Sequence, residues 1–421
     1  MTDETHGLVD HLFRRKAGEM VAALTRLFGP ERIELAEEVV QEAMVSALGS
    51  WPFHGIPENP GGWLLAVAKN RALDRLRRES AFRRKVPLLD RGEREVPAAA
   101  LFEWEPRDDQ LRMMFICCHP EIPTESRVAL TLRAVGGFSV EEIARALLAR
   151  AEAVAQRIVR AKRTIRERKL PLEMPATRAL LDERLDSVLE VLYLMFNEGY
   201  TAGGGDDLVR EEVCLEAIRL GELLASSPAT RRRRVHALLA LLLLQSSRFR
   251  ARRNEDGRML VLSEQDRGRW DRERIARGFH HFEESIGGRE LSRFHVEAAI
   301  AAVHAGAESF ERTDWRRVIE LYDELLAIRP SPIAALNRSV AVAKLEGAKA
   351  GLDALESVAN DPRLRDYALL PALQGDYWLE LGDRPRAAAA FERALTMPMS
   401  SPEKDFLREK LERLRRERRD E

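Results

Sequence analysis

Cysteine is scarce in this chain, and the little there is lies badly for cross-linking. There are three, Cys117 and Cys118 side by side and Cys214 far from both. Three thiols cannot build a disulfide framework, and they suit a reducing compartment. Cys117-Cys118-His119 is also a poor chelate, because a closed zinc site wants four ligands and no second Cys or His pair lies nearby in sequence. Buried structural cysteines are expected, with no metal. Aromatic residues are 6% of the chain, and alternating β-branched runs with hairpin dipeptides are rare. No long apolar run is present. The strongest, Val235 to Leu244, is interrupted by His236 and is too short to span a bilayer. The first ten residues are polar and acidic, without a signal core. A soluble, cytoplasmic protein with no membrane contact is the expectation. Gly203-Gly204-Gly205-Asp206-Asp207 is not followed by Gly-Lys-Ser/Thr, so it is not a phosphate-binding loop. His280 and His281 have no carboxylate or serine at a catalytic spacing. These gaps together argue against an enzyme and against a cofactor.

Net charge is nearly absent too, at −1, yet the positive charge is not spread evenly. Lys69 to Lys85 holds eight basic and two acidic residues, net +6, and Arg150 to Lys169 holds the same. Val86 to Glu125, between them, has nine acidic and four basic residues, net −5. Two local basic segments suit two separate contacts on nucleic acid. Both keep apolar residues at helical spacing, Leu64, Val67, Ala68, Leu73 and Leu76 in the first and Val154, Ile158, Ala161 and Ile165 in the second. Each helix thus has one face for a core and another for a polyanion.

In the first, Trp63 can pack as an anchor and Asn70 can bond a base edge, while Lys69, Arg71, Arg75 and Arg78 are spaced to meet phosphates. In the second, Gln156 and Arg157 stand near the helix start, where side chains enter a major groove. Arg160, Lys162 and Arg163 supply a basic track along a phosphate strand. Glutamine suits adenine and arginine suits guanine, without fixing which base each reads.

The apolar pattern is helical almost throughout, so the fold class is all-α. Helices are expected over Leu12–Phe28, Glu31–Leu48 and Gly61–Glu79, then Ser126–Val135, Glu141–Leu148 and Glu152–Arg168. Ser139 three residues before Glu142 is a capping-box pattern, and the short helix, tight turn and basic helix that follow make a helix-turn-helix. The domains expected are 8–80, a linker 81–107, a helix-turn-helix unit 108–170, a helical middle region 171–290 and helical repeats 291–416. The repeats have a period of about 34 residues, that of a tetratricopeptide helix pair. Gly306, Tyr322 and Pro330 are matched by Gly375, Phe391 and Pro398, with Gly347 and Pro362 in the copy between.

Three segments resemble bacterial RNA polymerase sigma factors of the extracytoplasmic-function class. Leu35-Ala36-Glu37-Glu38-Val39-Val40-Gln41-Glu42-Ala43 is similar to the core-polymerase-binding helix. Pro60 to Arg78, with Trp63, Asn70, Asp74 and Arg75, resembles the helix that opens and reads the minus-ten element. Ser139 to Arg163 resembles the helix-turn-helix that reads the minus-thirty-five element. Asp108-Asp109, Cys117-Cys118-His119-Pro120, Asn197-Glu198-Gly199-Tyr200 and Glu264 to Asp271 resemble a subgroup with a tetratricopeptide-like extension. The resemblance implies that Glu37, Glu38, Gln41 and Glu42 dock on core RNA polymerase and that the two basic helices contact promoter DNA. The extension, about 250 residues of apolar-periodic helix, is too large and ordered for a passive tail, and helix-pair repeats make concave surfaces, so it is expected to regulate the first two domains through an intramolecular contact. Ala153-Val154-Ala155-Gln156-Arg157 departs from the frequent Thr-Val-Lys-Ser-Arg, so the minus-thirty-five sequence does not carry over. The rival reading is a helix-turn-helix regulator with a tetratricopeptide-like domain that senses a partner or ligand.

Overall fold

The computed structural model describes residues 16–85, 106–147, 149–175, 177–200, 211–256, 258–288 and 290–417. The start of the first expected helix, most of the expected linker and the Gly203–Asp207 loop lie outside these residues. Among them the chain is all-α, with an isolated bridge between Arg253 and Met259 in place of any strand. The chain divides into two compact units, 1–194 and 195–421.

The first unit opens with α1 (residues 16–28), α2 (Ile33–His54) and α3 (Pro60–Lys85). It continues with α4 (Pro106–Cys117), α5 (Thr124–Ala134), α6 (Val140–Ala146), α7 (Ala151–Arg168) and the start of α8 (Arg178–Tyr200). α2 runs six residues past its expected end and carries Pro52 in its last turn. Its buried residues Ile33, Ala36, Glu37, Val39, Val40, Ala43, Met44, Ala47 and Trp51 follow the helical period. Leu64, Ala68 and Ala72 of α3 are buried as well. α7 buries the four residues its periodicity marks, Val154, Ile158, Ala161 and Ile165. Fully burying each of its larger aliphatic side chains is worth roughly 1.5–3 kcal/mol. The capping box forms at the start of α6: the Ser139 amide donates to Glu142 at 2.8 Å and the Glu142 amide donates to Ser139 Oγ at 3.1 Å. α4 has no counterpart in the expected helices.

The second unit contains α9 (Glu211–Ser226), α10 (Arg233–Ser246), α11 (Arg272–Ser285) and α12 (Arg293–Gly306). They are followed by α13 (Trp315–Ile328), α14 (Pro332–Glu346), α15 (Ala348–Glu356), α16 (Leu369–Glu380), α17 (Arg384–Leu395) and α18 (Ser401–Glu417). The apolar run Val235–Leu244 is the centre of α10, where every residue is buried, as suits a helix apolar all round. From α12 onward the helices pair through short connections, α12 with α13, α14 with α15 and α16 with α17. Small residues let the partners close up. A Cβ on Gly375 would stand 2.5 Å from the Phe391 ring, and one on Gly351 2.6 Å from Ala343 Cβ. Gly375→Val is therefore expected to overpack the α16–α17 contact by about 1–3 kcal/mol. A thermal melt followed by circular dichroism would show a lowered transition; an unchanged one would mean that the ring moves aside freely.

Candidate nucleic-acid interface

Rotation about the α2 axis sorts the four acidic-face residues into two groups. Glu38 and Gln41 stand on the exposed stripe Glu34, Glu38, Gln41, Val45 and Leu48, with Glu42 half-buried beside it. Glu37, one residue earlier, turns inward. Its side chain is 9% exposed, and Oε2 accepts from Lys162 Nζ at 2.8 Å and lies 3.5 Å from Arg133 Nε. Glu37 is thus not a surface docking group in this conformation. Lys162 is corrected with it: at 10% exposure it points away from any phosphate track on α7.

A second correction concerns the basic face of α3. Arg71 Nη1 donates to Glu42 at 2.9 Å and Nη2 to Ser46 Oγ at 2.6 Å. Arg75 bonds both Glu38 and Glu42. The expected polymerase-docking acids and two of the expected phosphate contacts therefore neutralise each other around a shallow depression of about 400 Å³, which Gln41 and Val45 also line. The Arg71 hydrogen bond is the chief reason that the Glu42 carboxyl titrates below its ordinary value, and Arg75 adds to it. The Glu38 bond raises the Arg75 guanidinium. A depressed carboxyl stabilises the fold above its unfolded pKa and loses that contribution as pH falls through the folded value, so this cluster is intact at neutral pH and weakens in acid.

Asn70, Asp74 and Arg78 are exposed on α3, and Lys69 is half-buried. Lys69, Asn70 and Arg78 have no hydrogen-bond or ion-pair partner among the described residues. Trp63 packs edge-on against the buried Trp51 with ring centroids 5.6 Å apart, which fixes how α3 leaves α2. Phe53, two residues from Trp51, is 83% exposed, and Val45 is 67% exposed. Sequence reasoning missed both. The signal for Phe53 was an aromatic side chain in a Pro- and Gly-rich connection between two surface helices.

On α7, Glu152, Gln156, Val159, Arg160 and Arg163 form the outward stripe. Arg157 lies off it, bonded to Glu125 at 2.8 Å. Val159, 58% exposed, was not expected there. Arg160 Nε reaches the Gln156 carbonyl at 3.3 Å, and Arg163 lies 3.3 Å from Glu167. These surface pairs are weak and yield readily to a phosphate.

Cys117 and Cys118 lie in the core of this unit. Burial pushes the Cys117 thiol well up and the Cys118 thiol to about 11, so both stay protonated at neutral pH. Cys118 Sγ lies 3.5 Å from Thr131 Oγ1. Among the described residues no group of three or more His, Cys, Asp or Glu could hold a metal ion, and no helix is long and apolar enough to cross a membrane.

The model of Sigma-70 region 2 matches residues 12–82, which carry α1 to α3, and that of Sigma-70 region 4 matches 112–165, which carry the capping box and α7. Residues 184–286 match a Family of unknown function (DUF6596). An uncharacterized protein of Rhizobium meliloti (strain 1021) is 39% identical over 421 residues, covering 98% of this chain and 97% of the relative. No solved structure matches. Regions 2 and 4 in this order define a sigma factor, which binds RNA polymerase, recognises promoters and directs transcription initiation. Within that class, the chain belongs to the family of the rhizobial protein, and in it the two sigma regions precede the DUF6596 match.

Proposed function

We propose that the chain is an extracytoplasmic-function sigma factor whose α3 opens and reads the minus-ten element and whose α7 reads the minus-thirty-five element. The observation that carries this is the outward stripe Gln156, Val159, Arg160 and Arg163 on the last helix of a helix-turn-helix within the region 4 match. Glu38, Gln41 and Glu42 are the docking residues on core polymerase. Phe53 offers an aromatic face on which an unpaired base can stack, and Asn70 offers an amide to a base edge. The protein makes and breaks no bonds; phosphate neutralisation, base capture and docking supply the energy.

The paired helices after α12 are read as tetratricopeptide-like repeats, and the extension as a regulator of the two sigma regions. A cavity of about 660 Å³ between these helices, α18 and residues 261–263 has Trp315, Tyr322 and Tyr377 in its walls, beside the ion pairs Lys410–Asp376 at 2.6 Å and Lys344–Glu380 at 3.4 Å. That chamber is what a sensing role would use.

Reconstituted transcription with core polymerase, with and without this protein, on genomic fragments is the test. Promoter-specific transcripts only in its presence are expected, together with weak binding of duplex DNA by the protein alone. Tight binding to a palindrome without polymerase would favour a conventional helix-turn-helix repressor instead. Within the sigma reading, Gln156→Ala is expected to cost about 1–3 kcal/mol for the base edge left unread, relaxing the choice of minus-thirty-five sequence, whereas Arg163→Ala, at a phosphate, should weaken binding to all promoters alike. Unchanged selectivity in a competition among promoter variants would remove the stripe from base reading.

A further inference from the structure

We propose that the second compact unit binds the phosphoryl group of a small solute at three arginines, Arg248, Arg252 and Arg267, which Tyr200 and Trp270 hold together within the DUF6596 match. The site gives the sensing role above a ligand, yet its binding is read without polymerase, so it and the sigma reading fail separately. Two motifs that promoter reading does not use meet here. Tyr200 ends Asn197-Glu198-Gly199-Tyr200, and Arg267 and Trp270 belong to Glu264–Asp271.

The five side chains alternate cation and ring. Arg252 lies over the Tyr200 ring at 4.3 Å, and Arg267 lies over the Trp270 ring at 4.6 Å. Arg248 stands 5.9 Å from each of the two rings. Arg248 Nη2 donates to the Tyr200 hydroxyl at 2.6 Å and to the Gln245 side chain, and Arg252 Nη1 donates to the Tyr200 carbonyl at 2.6 Å. Arg267 Nη1 donates to the His304 and Ala307 carbonyls at 2.5 and 2.7 Å. Every one of these acceptors is neutral.

Negative charge is what the arrangement lacks. Among the described residues, none of the three guanidiniums has a carboxylate at ion-pair distance; Glu403 and Glu311, whose charges reach Arg252 and Arg267, stand farther off. Burial lowers the Arg252 and Arg267 guanidiniums, and the charge of Arg248 lowers both further. A ring face offsets only part of what a buried cation loses on leaving water. Two buried donors also have no acceptor, Arg267 Nη2 and the Nε1 of Trp270, a residue 4% exposed. A single carboxylate would balance one of three charges. A phosphoryl group brings about −1.5 to −2 and three acceptor oxygens, which guanidinium forks grip in pairs. The arginines are half-buried rather than sealed, so a solute can reach them. His304 and Tyr322 in the wall of the 660 Å³ chamber both lie within reach of the Arg248 charge, so an attached ring has room beside the site.

The test is calorimetric titration of the full chain, at fixed ionic strength, with inorganic pyrophosphate, adenosine monophosphate and adenosine. Saturable binding of a phosphorylated probe with Kd below about 1 mM is expected, and none of adenosine. Tighter binding of the nucleotide than of pyrophosphate would assign a ring-bearing phosphate ester, and the reverse order an inorganic one. Binding only at higher concentration would mean an adventitious ion only and overturn the site. Arg248→Gln should weaken binding about 10-fold or more, because it removes one charged fork. Arg78→Gln with Arg163→Gln, on the exposed faces of α3 and α7, should leave it unchanged; loss of binding there instead would place the anion on the DNA-reading helices and refute the proposal. Thermal melts guard against a variant that folds poorly. Pyrophosphate should raise the Tm of the native chain by mass action, and Arg248→Gln should lose that rise while melting no lower than the native chain without phosphate. No rise in the native chain, or a less stable variant that keeps the rise, would make the arginines packing groups alone.

Discussion

Lys69→Ala, Asn70→Ala and Arg78→Ala together are expected to abolish promoter opening while leaving polymerase binding intact. These are the α3 residues without partners among the described ones, so they meet DNA at no intramolecular cost. A base edge held by Asn70 is worth about 1–3 kcal/mol, so losing it costs roughly 5- to 150-fold in open complex. Taking away two phosphate-binding cations should also flatten the salt dependence of binding by about two units of slope. Permanganate reactivity of promoter thymines reports the melting, and co-purification with core polymerase reports the docking. Undiminished reactivity would take this helix out of the mechanism. Arg71→Ala and Arg75→Ala should behave differently, because each guanidinium already holds a carboxylate of α2. Their removal releases Glu38 and Glu42, and the change should appear first in polymerase docking.

That division of labour on α3 was not legible in the sequence. Periodicity gave the inward face of α7, the cap at Ser139 and part of the α3 face, where Leu64 and Ala68 are buried but Val67, Leu73 and Leu76 only half-buried, because those depend on neighbours within one helix. It could not rank charged residues by orientation. Glu37 and Glu38 are adjacent, equally acidic and about 100° apart on the helix, and only the partner 125 residues away decides which is buried. Arg71 and Arg75 read as phosphate contacts because their acidic partners sit on another helix, 29 to 37 residues earlier. α4 escaped notice for a similar reason. Its apolar half, Leu111 to Cys117, is buried on nearly all sides and so carries no amphipathic period. The sigma regions were legible through motif order, whereas the start of α8 as a support for region 4 was not.

That support sets where region 4 can be cut. A fragment ending at Lys169 would keep every residue of the region 4 match, yet it is expected to lose cooperative folding, whereas one ending at Leu194 is expected to keep it. The buried Arg184 on α8 donates to the Phe115 carbonyl at the end of α4. Ser187 donates to the Cys118 carbonyl at 2.7 Å and accepts from Arg127 of α5 at 2.8 Å. Cutting at Lys169 leaves two carbonyls at the end of α4 without their donors, at about 1–3 kcal/mol each where water does not replace them. It also strips the cover that Leu185 and Val188 provide. A total stability of about 5–15 kcal/mol leaves little after such a loss. Circular dichroism melts of the two fragments would separate the cases, and equal cooperative transitions would dismiss α8 as a support. Once the 1–194 fragment is shown folded, its transcription against that of the full chain isolates the extension. A strong change in either direction is expected, because a chain that merely trailed behind the promoter-reading regions would not need a second core of its own. Equal transcription would make the extension a separate module and end the regulatory reading.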